Sequence, residues 1–174
     1  MLAIIFLFAS MARSYEEFYL SEKFRMKSVD PKLSLAIQYA TAAPNVPTRA
    51  QFRRWFKRAL QCDVTITLRI VDEVEGRELN KNYRGKDYAT NVLTFVYDEA
   101  QLLAGDLVIC APVVEQEAAI QHKDLAAHYA HLTIHAALHL QGYDHDNDAD
   151  AIEMEGLETA LMLKLRYPDP YQAR

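Results

Sequence analysis

From residue 33 onward the pattern of apolar and polar positions along the chain becomes regular, with period-two runs and helically spaced segments in turn. Leu33 to Ala40 (LSLAIQYA) reads as a strand that ends in a loop marked by Pro44 and Pro47. Thr48 and Gln51 carry a capping-box signature, which opens a helix over about Arg49 to Gln61. That helix turns Phe52, Trp55, Phe56 and Leu60 to one side and Arg53, Arg54, Lys57 and Arg58 to the others. Val64 to Val71 (VTITLRIV) alternates branched residues at period two and reads as a second strand. Glu73 to Asn82 predicts a short helix, and Asn91 to Tyr97 and Asp106 to Cys110 predict two more strands. Three helices follow, over about Pro112 to Gln121, Asp124 to Gln141 and Asp148 to Arg166. The last has Asp148, Asp150 and Glu153 near its start, Lys164 and Arg166 near its end, and Pro168 to stop it.

Strands and helices do not alternate as strict βαβ repeats, and the C-terminal third is all helical. The expected class is therefore α+β: a single domain with a small mixed sheet packed with about five helices. No linker divides it. Leu2 to Ala9 (LAIIFLFA) is an unbroken apolar run, too short to span a bilayer and without the basic residues that precede a secretory core. Met26 is a second candidate start just before the foldable pattern. Residues 1–25 are accordingly expected to be an extension, with the domain over residues 26–174.

Composition narrows the function classes. The 174 residues carry a formal net charge of −5 and are 51% hydrophobic, which suits a globular domain and disfavours a disordered chain or a protein that coats polyanions by bulk charge. The average hides a split. Residues 49–86 hold ten Lys/Arg against five Asp/Glu, whereas residues 87–163 hold only Lys123 against fourteen acids. One basic segment is thus available to a polyanion. Cys62 and Cys110 form no C-x-x-C pair and are expected to be reduced, partly buried thiols.

The histidines change the picture most. All six, His122, His128, His131, His135, His139 and His145, fall within 24 residues. His128, His131, His135 and His139 are spaced 3, 4 and 4, so on a helix they form one stripe, and neighbours four apart can hold a single ion. A residue six beyond His139 would sit about 240° around a continued helix, on the wrong face. Gly142 is placed to cap the helix and turn Tyr143, Asp144 and His145 back toward the stripe. His135, His139 and His145 would then give three nitrogen ligands and leave a fourth position open, the pattern of a catalytic metal site at the end of the central helix. Zinc peptidases carry a glutamate base after the first histidine (H-E-x-x-H). Here Ala136 stands in that place, which argues against peptidase chemistry.

HAALHLQGYDH (135–145) resembles the signature of the YbeY family, the bacterial rRNA-maturation endoribonucleases, which reads H-G-x-L-H-L-x-G-Y-D-H. LNKNYRGKDYATNVLTF (79–95) resembles a second family stretch, GDLVIC (105–110) its following strand, and the ME-x-LE (154–158) and YPDPY (167–171) segments its end. Ala136, Ala89 and Thr94 depart from the usual Gly, Pro and Ser, and a methyl at Ala136 is expected to crowd whatever packs on that helix. The resemblance implies that His135, His139 and His145 bind one zinc ion and that Arg84 is a functional arginine near it. It further implies a cytoplasmic, single-strand-specific endoribonuclease acting in 16S rRNA 3′-end maturation and 70S ribosome quality control. The implied partners are rRNA and the small ribosomal subunit, with ribosomal proteins or a ribosome-associated GTPase as further candidates, and no membrane.

The forked guanidinium of Arg84 suits it to holding a scissile phosphate; the plainer alternative is a surface ion pair with Asp87. Arg77, Lys81 and Lys86, with Arg53, Arg54, Lys57 and Arg58, are candidates to track an RNA backbone. Asp144 is a candidate to orient a ligand or a water, and no residue is assigned as general base. Two other functions remain open on the residues alone: a ribosome-assembly factor with a structural zinc, and a zinc hydrolase of another substrate class such as a peptidase.

Overall fold

Leu33–Ala40 (β1), Val64–Val71 (β2), Val92–Glu99 (β3) and Leu102–Cys110 (β4) form one sheet in the order β1-β2-β4-β3. The computed structural model describes residues 30–99 and 102–172; the expected extension over residues 1–25 and the alternative start at Met26 lie outside the described residues. β1 and β4 both run parallel to β2, and β3 is antiparallel to β4, so the sheet is mixed. The register sets Leu68 opposite Ile37 on one side and Leu107 on the other, which aligns the apolar positions of three strands on one face. Ile66, Leu68, Ile70, Leu107 and Ile109 on that face are at most 1% exposed.

Two helices cover this face. Arg49–Ala59 (α1) begins with the expected capping box, in which Thr48 and Gln51 bond reciprocally, and it buries Phe52, Trp55 and Phe56. Each such ring contributes about 1.5–3 kcal/mol on full burial. Leu125–Leu140 (α4) packs against α1 and against β3 and β4. On the opposite face, Glu73–Arg84 (α2) packs against β4, where Val71, Leu93, Val108 and Cys110 form a second buried cluster joined by Leu79 and Ala89. Ala111–Ile120 (α3) and Asp148–Lys164 (α5) pack on α4. The α+β class with five helices among the described residues agrees with the sequence expectation. No described helix is long and apolar enough to cross a membrane.

Four expectations need correction. β4 begins at Leu102, four residues before Asp106, because Leu103 to Gly105 pair with Val64 to Ile66 of β2 as well as with β3. α1 stops at Ala59 because the backbone N–H of Gln61 is taken by the Gln141 side chain at 2.8 Å. α5 ends at Lys164 with Arg166 in the left-handed region (φ 67°), so Pro168 follows the stop and Arg166 lies past the helix. Cys62 is exposed while Cys110 is buried, although both are free thiols as expected.

Candidate metal centre

α4 starts at Asp124, whose carboxylate accepts the Ala127 N–H at 2.8 Å, and nearly every position from Ala127 to Leu140 is buried. The three positions in this stretch that are not fully buried are His131, His135 and His139, so the histidine stripe is the half-buried side of an otherwise buried helix. The helix ends in a Schellman turn. Tyr143 N–H donates to the Leu138 carbonyl at 3.1 Å and Gly142 N–H to the His139 carbonyl at 3.0 Å, with Gly142 at φ 86°. Two glutamines anchor this turn to α1: Gln141 Nε2 donates to the Ala59 carbonyl at 3.0 Å, and Gln61 Nε2 donates to the Tyr143 hydroxyl at 2.8 Å.

The turn returns His145 to the stripe. One ligand nitrogen from each of His135, His139 and His145 lies within 4.8 Å of the others, the only such group among the described residues. Ring centroids are 4.5 Å apart for His135 and His139, 4.9 Å for His139 and His145, and 5.4 Å for His135 and His145. His139 donates its Nδ1–H to the Tyr143 carbonyl at 2.9 Å, and His135 donates its Nδ1–H to Glu158 Oε1 at 2.8 Å. A carbonyl and a carboxylate can only accept, so both rings carry their proton on Nδ1 and turn an Nε2 lone pair inward. Burial, and then the neighbouring His135, hold the His139 pKa below its ordinary value and keep the ring neutral. Three imidazoles, two with their outer nitrogens anchored, form a donor set that fits a borderline metal such as zinc, with room for a non-protein ligand at His145, which is exposed.

The remaining histidines do other work. His128 donates to Glu117 Oε2 at 2.8 Å, and Asn91 donates to the same carboxylate at 3.1 Å. His131 donates to Glu158 Oε2 at 2.6 Å. His122 takes a left-handed backbone (φ 52°) where α3 ends, outside the cluster. Asp144 accepts the His145 backbone N–H at 2.8 Å and lies 3.9 Å from His139 Nδ1, so it shapes the turn that carries His145. Arg53, Arg54, Lys57, Arg58, Arg77, Lys81 and Lys86 are all exposed. Asp87 is held by Arg77 at 2.9 Å and Lys81 at 3.4 Å, not by Arg84, which is exposed in the last turn of α2 with no ion pair among the described residues.

Sequence reasoning gave no role to Glu158. Its side chain is fully buried, and burial alone would raise its pKa; hydrogen bonds from His131 and His135 outweigh that and bring it to about 2. The available signal was a carboxylate inside an apolar stripe, since Met154, Leu157 and Leu161 on the same helix are all buried. Ala136 is fully buried with Ala137 in the packed face of α4.

The sequence profile described as Endoribonuclease YbeY matches residues 37–166. The protein named Endoribonuclease YbeY from Methylobacillus flagellatus is 53% identical over 143 residues, covering 82% of this chain and 96% of that one. The like-named protein from Aromatoleum aromaticum is 55% identical over 148 residues, covering 83% and 96%. A Thermotoga maritima protein solved in solution shares the fold with a TM-score of 0.51 at 24% identity, over 79% of this chain and 99% of that one. With the profile match spanning most of the described unit and relatives above half identity along it, the chain belongs to the Endoribonuclease YbeY family.

Proposed function

We propose that the protein is a zinc-dependent endoribonuclease that cuts single-stranded RNA, acting in the cytoplasm on the 3′ end of 16S rRNA and in 70S ribosome quality control. The observation that carries this reading is the inward-facing trio His135, His139 and His145, whose ligand atoms lie within 4.8 Å of one another. A bound zinc there would supply Lewis acidity toward a water or a phosphate oxygen. The chain's own residues do the rest. Glu158 and the Tyr143 carbonyl orient two ligands, and Asp144 shapes the turn that presents the third. Arg84, exposed and without an ion pair among the described residues, is the group to hold the scissile phosphate and offset charge that develops on it. The exposed basic residues of α1 and α2 supply a backbone track, in keeping with rRNA in the small subunit as partner and with ribosomal proteins or a ribosome-associated GTPase beside it.

A three-histidine site with one exposed member supports catalysis over a purely structural zinc, which is normally closed by four protein ligands. The test uses RNA ending in an unprocessed small-subunit 3′ tail, incubated with zinc-loaded wild type and His139→Ala purified identically. Cleavage by wild type alone, stopped by chelator, is the expected result. No cleavage by either protein on naked RNA or on small subunits would overturn the enzymatic reading.

A further inference from the structure

After α5 the chain reverses at Arg166 and runs back along the helix. Three contacts hold this return segment. Thr159 donates to Asp169 Oδ1 at 3.2 Å, the same oxygen accepts the Tyr171 N–H at 3.0 Å, and Lys123 Nζ donates to the Pro170 carbonyl at 2.8 Å. Tyr171 is thereby set with its ring edge-on to His131, centroids 5.4 Å apart, and its hydroxyl donates to Glu158 Oε2.

The two oxygens of Glu158 are therefore not equivalent. Oε2 receives two donors, His131 and Tyr171, whereas Oε1 receives one, His135. With Oε2 held from two directions the carboxylate cannot rotate, and Oε1 stays aimed at His135 Nδ1. That bond decides which nitrogen of His135 carries the proton and so which nitrogen faces His139 and His145.

We infer that Glu158, clamped by Tyr171 of the C-terminal segment, is a positioning residue that holds His135 in the tautomer and orientation needed for metal binding. The segment after α5 is thus part of the construction of the metal site, although it contributes no ligand. The inference rests on the reading that the histidine trio holds a metal. Its distinguishing consequence is that a change at residue 171, on a half-exposed tyrosine, alters metal affinity at a remote pair of rings.

The test measures zinc affinity by competition with a chromophoric chelator for wild type, His139→Ala, Glu158→Ala and Tyr171→Phe. It also reads the protonated nitrogen of His135 by 15N NMR in the metal-free proteins. Glu158→Ala is expected to bind zinc roughly 10- to 100-fold more weakly and to leave His135 as a mixture of tautomers. Tyr171→Phe is expected to weaken binding by a smaller factor, roughly threefold, while melting as cooperatively as wild type. Where Glu158→Ala does not fold, Tyr171→Phe decides. Wild-type affinity in Tyr171→Phe together with an unchanged His135 tautomer in every folded variant would overturn the inference. If wild type and His139→Ala bind zinc alike, the metal reading fails instead. The His135 proton then decides the positioning role alone: its departure from Nδ1 on removal of Glu158 supports the role, and its persistence contradicts it.

Discussion

His135 Nε2 and His139 Nε2 face each other at 3.1 Å, each with its other nitrogen already committed as a donor. Two lone pairs at that distance repel unless a cation lies between them. Nitrogens bound at about 2.0–2.1 Å to one tetrahedral zinc sit about 3.3 Å apart, so the metal-free spacing is close to the bound one. Zinc should therefore stabilise the folded protein by mass action, by about 2.7 kcal/mol at a free concentration 100 times the dissociation constant. Thermal melts with and without zinc check this: wild type is expected to shift upward, and His139→Ala to stay where it is.

The buried carboxylate makes acid stability a readout of the same network. The Glu158 pKa falls from the ordinary 4.5 to about 2, so this group stabilises the fold fully above pH 4.5 and loses that contribution as pH falls toward 2. The contribution is on the order of 3 kcal/mol. Urea unfolding of metal-free protein between pH 5 and 2 should show this loss, and Glu158→Gln should flatten it.

Two glycines are required for different reasons. Gly142 is left-handed with open space around its Cβ position, so Gly142→Ala costs backbone strain alone, about 1 kcal/mol, and also disturbs the turn that delivers His145. Gly105 has an ordinary backbone, but a Cβ there would lie 2.5 Å from Leu140 Cδ1 and 2.5 Å from the Phe95 carbonyl oxygen. The carbonyl cannot move without breaking the β3–β4 pairing, so Gly105→Ala should cost on the order of 3 kcal/mol. Chemical denaturation of the two variants should rank them in that order, with weakened zinc binding out of proportion to stability only in Gly142→Ala.

Arg84 has no ion pair to lose among the described residues. Arg84→Ala should leave the melting temperature and zinc affinity unchanged while lowering RNA cleavage by roughly 100-fold, and Arg84→Lys should recover only part, because a point charge lacks the two-pronged contact. Equal cleavage rates in all three proteins would remove Arg84 from the reaction.

Most element positions were legible because they depend on local signals: the period-two run in β2, the Thr48 and Gln51 box of α1, and the 3-4-4 histidine spacing of α4. The turn that brings His145 back to the stripe was legible for the same reason, since Gly142 marks a helix stop whatever the rest of the chain does. The hidden features depend on partners distant in sequence. The first half of β4 contains Gly105 and Asp106, poor strand formers in isolation, and is a strand because β2 and β3 pair with it on both sides. Helices α3 and α5 end on left-handed His122 and Arg166, residue types that do not announce a stop. Glu158 reads as one more helical glutamate until α4 brings His131 and His135 across 27 and 23 residues of chain.

The central claim is that these three histidines hold a catalytic metal, and X-ray absorption at the zinc edge of the loaded protein tests it most directly. The account predicts one zinc bound by three imidazole nitrogens at about 2.0–2.1 Å with a fourth, exchangeable oxygen, all lost in His139→Ala. A spectrum with sulfur ligands, or one that His139→Ala leaves unchanged, would contradict it.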